Sequence, residues 1–218
     1  MTSLGNICNS GEDNSLTIEL LNNELYKQII STDAFQRLRN ISFLGAIDKT
    51  HNNRTKIRSD RFEHSIDVAK LALYICKERQ YNKEIEEHVV VAALLHDIGH
   101  APLSHSMESE FEQQYGINHH IASSQIINGM IKKHSSINKI INSKLDIDIV
   151  LDLIEQKSNE CFSDIFSSPI NVDTIDGIHK SLKYLKPNSD VFFNKYLIAK
   201  ASFFEKTDGN RSHALDEF

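Results

Sequence analysis

Apolar residues recur at helical spacing along nearly the whole chain. Val68, Leu71, Ala72 and Ile75 line one face of a helix predicted from about Phe62 to Arg79. The next predicted helix, Glu84–Ile98, becomes apolar nearly all round in its second half, VVVAALL. A helix of that kind is central, not superficial. Further helices are predicted over Asn22–Ile30 and over Ala34–Leu44, the latter capped by Thr32 or Asp33 and ended by Gly45. Gly99 interrupts the pattern and Pro102 restarts a helix that runs to about Tyr115. His119–Lys133, Ile147–Gln156 and about Val172–Leu185 complete the helical set, and Leu16–Leu20 reads as a short strand. Residues 48–60 form a polar, partly basic loop, and Lys186-Pro187-Asn188 marks a break. The class is all-α, in keeping with only 8 Gly and 3 Pro. The expected organisation is a flexible N-terminal arm over 1–15, a main helical domain over 16–186 and a partly helical extension over 187–218.

Composition narrows the function classes. With 218 residues, 40% hydrophobic and 25% charged, the chain is an ordinary globular protein able to bury a core without disulfides. A net charge of -6 makes it a poor general binder of nucleic acid, because phosphate contacts need clustered Lys and Arg. A small anionic substrate in a local basic pocket remains compatible. Cys8, Cys76 and Cys161 are far apart, with no C-x-x-C, which fits a reducing, cytoplasmic setting better than a disulfide framework. The N-terminus lacks the pattern of a signal peptide, and no apolar run approaches the roughly 20 residues that span a bilayer. Histidine is abundant: 11 residues, several between His96 and His120.

His96 and Asp97 sit at the end of the most buried predicted helix. Adjacent helical residues point about 100° apart, so both reach one ion only beyond a helix end or in a crevice. An isolated pair of this kind would read as a helix cap. This pair is joined by His64 in RFEHS and Asp173 in NVDTIDGI, each near the start of a helix. Two His and two Asp at three helix termini make a mixed nitrogen and oxygen set suited to Mg, Mn or Fe ahead of structural zinc. His105 and Glu108 share a face of the helix after Pro102, and a carboxylate on one ring nitrogen raises imidazole basicity. Arg61 offers a guanidinium for phosphate oxygens, with an ion pair to a helical acid as the alternative.

The strings RFEHS, AALLHDIGHAPLSHSMESEF and NVDTIDGI resemble the HD-domain superfamily of metal-dependent phosphohydrolases. HDIGHAPLSH, with FQRLRNISFLG upstream, is similar to its deoxynucleoside triphosphate triphosphohydrolase branch. The resemblance spans about Leu16 to Lys186. It implies a helical bundle with the metal site at converging helix termini and four ligands, His64, His96, Asp97 and Asp173. By spacing alone, Asp176 competes with Asp173. The implied ion is divalent, Mg, Mn or Fe ahead of Zn, Co or Ni. The resemblance further implies a catalytic His105–Glu108 dyad, a further catalytic histidine at His119 with His120 as the shifted alternative, and substrate contacts from Arg61, His100 and Lys180. Three positions depart from the branch: Phe43 replaces a Gln, Gly177 a Tyr, and Lys180-Ser181 an Arg-Asp pair. These departures fall on sugar recognition. The implied reaction is hydrolysis of a (deoxy)nucleoside triphosphate to nucleoside and triphosphate. A phosphodiesterase, a 5′-nucleotidase or a non-catalytic nucleotide-sensing subunit are the alternatives. Expected partners are a nucleotide, no membrane, no sequence-specific nucleic acid, and a second copy or another protein through the apolar stretch 190–205.

Overall fold

The structure, a computed structural model, describes residues 9–46, 59–185 and 193–204. Among them there is no β-strand, and Ser42 and Asp60 form an isolated antiparallel bridge. The helices are α1 (Asn9–Asn22), α2 (Glu24–Ile30), α3 (Asp33–Gln36), α4 (Arg61–Glu78), α5 (Lys83–Leu95), α6 (Glu108–Tyr115), α7 (His119–Ile127), α8 (Ser135–Asn142), α9 (Ile147–Ile154), α10 (Asp164–Ser167), α11 (Val172–Leu185) and α12 (Lys195–Phe203). Among the described residues, no helix is long and apolar enough to cross a membrane.

α4 and α5 pack on each other and form the centre. Each starts on a side-chain cap: Asp60 accepts from the Glu63 amide (2.8 Å) and Asn82 from the Ile85 amide (2.9 Å). Every residue from Val89 to Leu95 is buried, so this stretch of α5 has no solvent face. α1, α11 and α12 pack on α4, and α9 packs on α5. The consequence for function is positional. α5 ends at Leu95, so His96 and Asp97 lie in the turn just beyond the end of the most buried helix.

Several expectations are corrected. Leu16–Leu20 is not a strand but part of α1, where Leu16 and Leu20 are buried four residues apart while Ile18 and Leu21 face solvent. The helix begins at Asn9, so the arm expected over 1–15 is helical from there on, tied down by Asp13 to Lys70 (2.9 Å) and Tyr196 (2.6 Å). Residues 1–8, most of the 48–60 loop and the break at 186–188 lie outside the described residues. The Ala34–Leu44 helix is instead α3 followed by a 3₁₀ turn, Arg37–Asn40. It stops because Ile41 and Phe43 exchange backbone bonds with Arg61 (2.9 Å) and Ser59 (3.0 Å). Pro102 does not start a continuous helix. Leu103 and Ser104 adopt left-handed backbone (φ 68° and 48°), a 3₁₀ turn covers Ser104–Met107, and only then does α6 begin. α7 ends at Ile127, short of Lys133, and α8 was not anticipated.

Candidate metal and phosphate site

The turn after α5, the first turn of α4 and the first turn of α11 meet. His64 Nε2, His96 Nε2, Asp97 Oδ2 and Asp173 Oδ1 form a tight group. His64 Nε2 lies 3.3 Å from His96 Nε2, 3.0 Å from Asp173 Oδ1 and 3.6 Å from Asp97 Oδ2. His96 Nε2 lies 3.4 Å from Asp97 Oδ2 and 3.8 Å from Asp173 Oδ1. Ligands about 2.1 Å from one ion sit roughly 3.0–3.4 Å apart; three of these five spacings fall in that range, and the other two, 3.6 and 3.8 Å, lie just beyond it.

The hydrogen bonds behind the rings sharpen the match. His96 Nδ1 faces the Ala93 carbonyl at 2.8 Å, and His64 Nδ1 faces Asp176 Oδ2 at 2.8 Å. Both partners are acceptors that can each hold an Nδ1 proton, which leaves both Nε2 atoms able to act as ligands. Two Nε2 atoms 3.3 Å apart, beside two carboxylates, favour positive charge at this point. Without a metal ion the proton takes that role. Burial alone would lower the His64 imidazole, but the bonds with Asp173 and Asp176 outweigh it and raise it to about 9. His96 is raised as well, its burial outweighed by Asp97. Burial works to raise the two carboxylates. His96 and Arg61 nevertheless hold Asp97 well below its usual range, and His64 holds Asp173 down to about 2. Asp176 lies on the far side of the His64 ring and is fully buried, so of the two acids only Asp173 is placed with the group.

A cleft of about 480 Å³ opens over this group. Arg61, His96, Asp97, His105, His119 and Asp173 line it. Arg61 is buried and tied to Asp97 Oδ2 (2.5 Å) and Ser104 Oγ (3.1 Å). Glu108 joins two imidazoles: Oε2 accepts from His105 Nδ1 at 2.8 Å, and Oε1 pairs with His119 Nδ1 and with the His119 amide. His119, and not His120, therefore shares the carboxylate; the His120 ring lies tilted against the His119 ring, centroids 3.9 Å apart. Burial pushes Glu108 up, but its two histidine partners hold it at about 2, an ionised carboxylate.

Two expected substrate contacts sit elsewhere. His100 is buried behind Asp97, with Nε2 3.2 Å from Asp97 Oδ1, and its ring stacks on His119 at 4.2 Å and 10°. Parallel stacked rings share no in-plane point, so His100 and His119 cannot ligate one ion together. His100 is instead a neutral base beneath the cleft, lowered to about 4 by burial. Lys180 does not line the cleft; its ammonium is directed away, to Asp67 Oδ2 at 2.5 Å.

Arg37 and Gly99 support the turn. Arg37 donates to the carbonyls of Ile98 (2.5 Å) and His100 (2.7 Å), clamping the segment that carries Asp97. A Cβ on Gly99 would lie 2.2 Å from the His119 carbonyl oxygen, so glycine is what lets α7 approach. Arg37 is visible in FQRLR as a tie between the second helix and the core, but what it holds is not. The role of Gly99 in close packing has no local signal beyond the glycine itself.

Residues 61–172, more than half of the chain, match the HD domain family. The chain belongs to the HD-domain family. The matched segment contains His96-Asp97 and ends one residue before Asp173. Among curated proteins, "Uncharacterized protein YwfO" of Bacillus subtilis is 26% identical over 169 residues, covering 74% of this chain and 36% of that protein. A protein of Dictyostelium discoideum named "Deoxynucleoside triphosphate triphosphohydrolase SAMHD1 homolog" is 35% identical over 115 residues, covering 48% of this chain and 22% of that protein. This HD-domain chain thus spans about a third or less of the length of these relatives. The crystal structure of a phosphohydrolase from Bacteroides thetaiotaomicron shares the fold, with a TM-score of 0.65, 22% identity, and coverage of 83% of this chain and 42% of that one.

Proposed function

We propose that this HD domain hydrolyses phosphate bonds of nucleotides at a divalent-metal centre, with cleavage of a (deoxy)nucleoside triphosphate to nucleoside and triphosphate as the leading reaction. One observation carries the reading. His96, Asp97 and Asp173, backed by the buried His64, and the Glu108-linked imidazoles His105 and His119 open onto a single cleft large enough for a nucleotide. Similarity to the Dictyostelium triphosphohydrolase homolog supports the choice of reaction.

His64, His96, Asp97 and Asp173 would hold the ion, for which this mixed donor set favours Mg, Mn or Fe over Zn, Co or Ni. Held by these four residues, the ion would supply Lewis acidity toward the phosphate and toward water. The chain's own residues do the rest. Arg61 sets charge beside the phosphate oxygens, anchored through Asp97 and Ser104. Water attacks phosphorus, a new P–O bond forms and the bond to the 5′ oxygen breaks. The proton lost by water and the proton gained by the leaving oxygen pass through the imidazoles of His105 and His119. Glu108 fixes Nδ1–H on both rings and leaves Nε2 as the exchanging atom. Burial lowers His119 despite its bond to Glu108, which favours the neutral imidazole.

A phosphodiesterase or 5′-nucleotidase reading keeps the same machinery. The wall formed by Phe43, Gly177 and Ser181 favours it, since it offers little polar chemistry to read a sugar. A panel of deoxy- and ribonucleoside triphosphates, a monophosphate and a cyclic nucleotide, each with Mg²⁺ or Mn²⁺, separates the readings. Anion-exchange analysis should reveal inorganic triphosphate. Orthophosphate or nucleoside monophosphate alone would transfer the assignment, and no product with any of them would reject hydrolysis.

A further inference from the structure

Behind His64 lies a cluster of charges that the proposed chemistry does not use. Asp13, Asp67 and Asp176 face Lys70, Lys180 and Lys195, drawn from α1, α4, α11 and α12. Asp67 gathers all three ammonium groups, with Lys70 at 2.6 Å, Lys180 at 2.5 Å and Lys195 at 3.3 Å. Asp176 is fully buried and divides its two oxygens. Oδ2 takes His64 Nδ1 at 2.8 Å with Lys180 at 3.8 Å, and Oδ1 takes Lys195 at 3.3 Å.

A buried carboxylate is costly unless it is paired, and a carboxylate held at one oxygen alone can still turn about its χ2 bond. Lys195 removes that freedom. It pulls on Oδ1 and so presents Oδ2 to the His64 ring. The ring in turn shows Nε2 to Asp173, His96 and Asp97. Lys195 is the first residue of α12, which lies outside the segment matched to the family. Its side chain is nine-tenths buried.

We propose that Asp176 is a positioning residue for His64, locked in place by Lys195, so that the closing helix α12 sets how tightly the four-donor group binds a divalent ion. The inference rests on the metal reading given above. A cluster that served stability alone would leave ion affinity untouched when Lys195 is removed.

The experiment is calorimetric titration of the full chain with Mn²⁺, alongside thermal unfolding of the metal-free protein. Lys195→Met should weaken Mn²⁺ binding about 10- to 100-fold, the range for losing an outer partner of a ligating histidine. Lys195→Arg should recover most of that loss. Asp176→Asn keeps the side-chain volume and should weaken binding to a similar extent, which covers the case of a poorly folded Lys195→Met. The double variant should be no weaker than the worse single one, because both act through one bond. If Lys195→Met and Asp176→Asn bind Mn²⁺ like the wild type, whatever happens to their melting temperatures, the positioning role is wrong while the metal reading stands. If the wild type takes up no Mn²⁺, the metal reading falls and takes this inference with it.

Discussion

His64 and His105 make the same bond and live in different places. Each ring faces a carboxylate oxygen through Nδ1 at 2.8 Å. His64 has no exposed surface, nor does its partner Asp176, and lysines from two helices hold that partner. The His105 side chain is 61% exposed, and its partner Glu108 opens the short helix α6 and serves a second imidazole. An imidazole–carboxylate pair therefore has no fixed job. When it is buried and braced, it holds a lone pair in one direction, as an ion requires. At the mouth of a cleft, the same pair can exchange a proton with a substrate or with water. The HD domain carries one half of each kind, and they meet at Gly99, packed on α7, and at His100, between Asp97 and His119.

The largest effect should come from the braced half. His96→Ala or Asp97→Ala should bring metal-dependent turnover down to background, since each removes a donor and leaves the remaining buried charges unbalanced. Steady-state assays with Mn²⁺ check this, and turnover that survives either change breaks the comparison. Glu108→Gln should cost about 10²- to 10⁴-fold in kcat. Its Kd for Mn²⁺ should not move, because Glu108 touches no member of the four-donor group. A parallel loss of Mn²⁺ affinity would mean the two halves are one site. The folded Glu108 carboxylate is held at about 2, below its ordinary 4.5. Its stabilising bonds are complete above the ordinary value and weaken only as pH falls toward 2. Protonation of Glu108 should therefore not contribute to any loss of kcat above pH 4.5, which a pH–rate profile of the wild type checks.

Gly99→Ala should destabilise the fold by about 3 kcal/mol, at the upper end for overpacking, because the atom it meets is backbone and cannot swing away. Urea unfolding reads this directly; a change under about 0.5 kcal/mol would mean α7 can retreat without loss. The smallest effect concerns acid. Burial raises Asp67, but Lys195, Lys180 and Lys70 outweigh it and hold the carboxyl below its usual range. Its contribution to stability is present above the unfolded value near 4 and is lost as pH falls below it. Wild type and Asp67→Asn should therefore differ in melting temperature at pH 7, with the gap narrowing progressively as the pH falls below about 4. A constant gap would show that packing, not charge, makes the difference.

The sequence makes the braced half legible and hides its bracing. VVVAALL followed by His-Asp announces a buried helix with polar residues at its end, and α5 has that form. RFEHS and NVDTIDGI point to two more helix starts. Where spacing leaves Asp173 and Asp176 equal, only the tertiary fold reveals that they flank opposite nitrogens of one ring. Lys180 misled for the same reason. Its place in the motif suggests a substrate contact, while its rotamer sends the ammonium to Asp67, 113 residues away. Lys195 carries no signal at all, since a lysine at a helix start reads as surface. The Leu16–Leu20 error was local: five residues cannot distinguish alternation from a helical face, and the flanking Asp13 contacts that extend α1 are long-range.

As proposed, His64, His96, Asp97 and Asp173 bind one divalent ion. Calorimetric titration of the metal-free protein with Mn²⁺, repeated on His96→Ala, tests it most directly. One ion bound per wild-type chain, and none detectable at that site in the variant, is the predicted result. Wild-type protein that takes up no Mn²⁺, or a variant that binds it equally well, would contradict the claim.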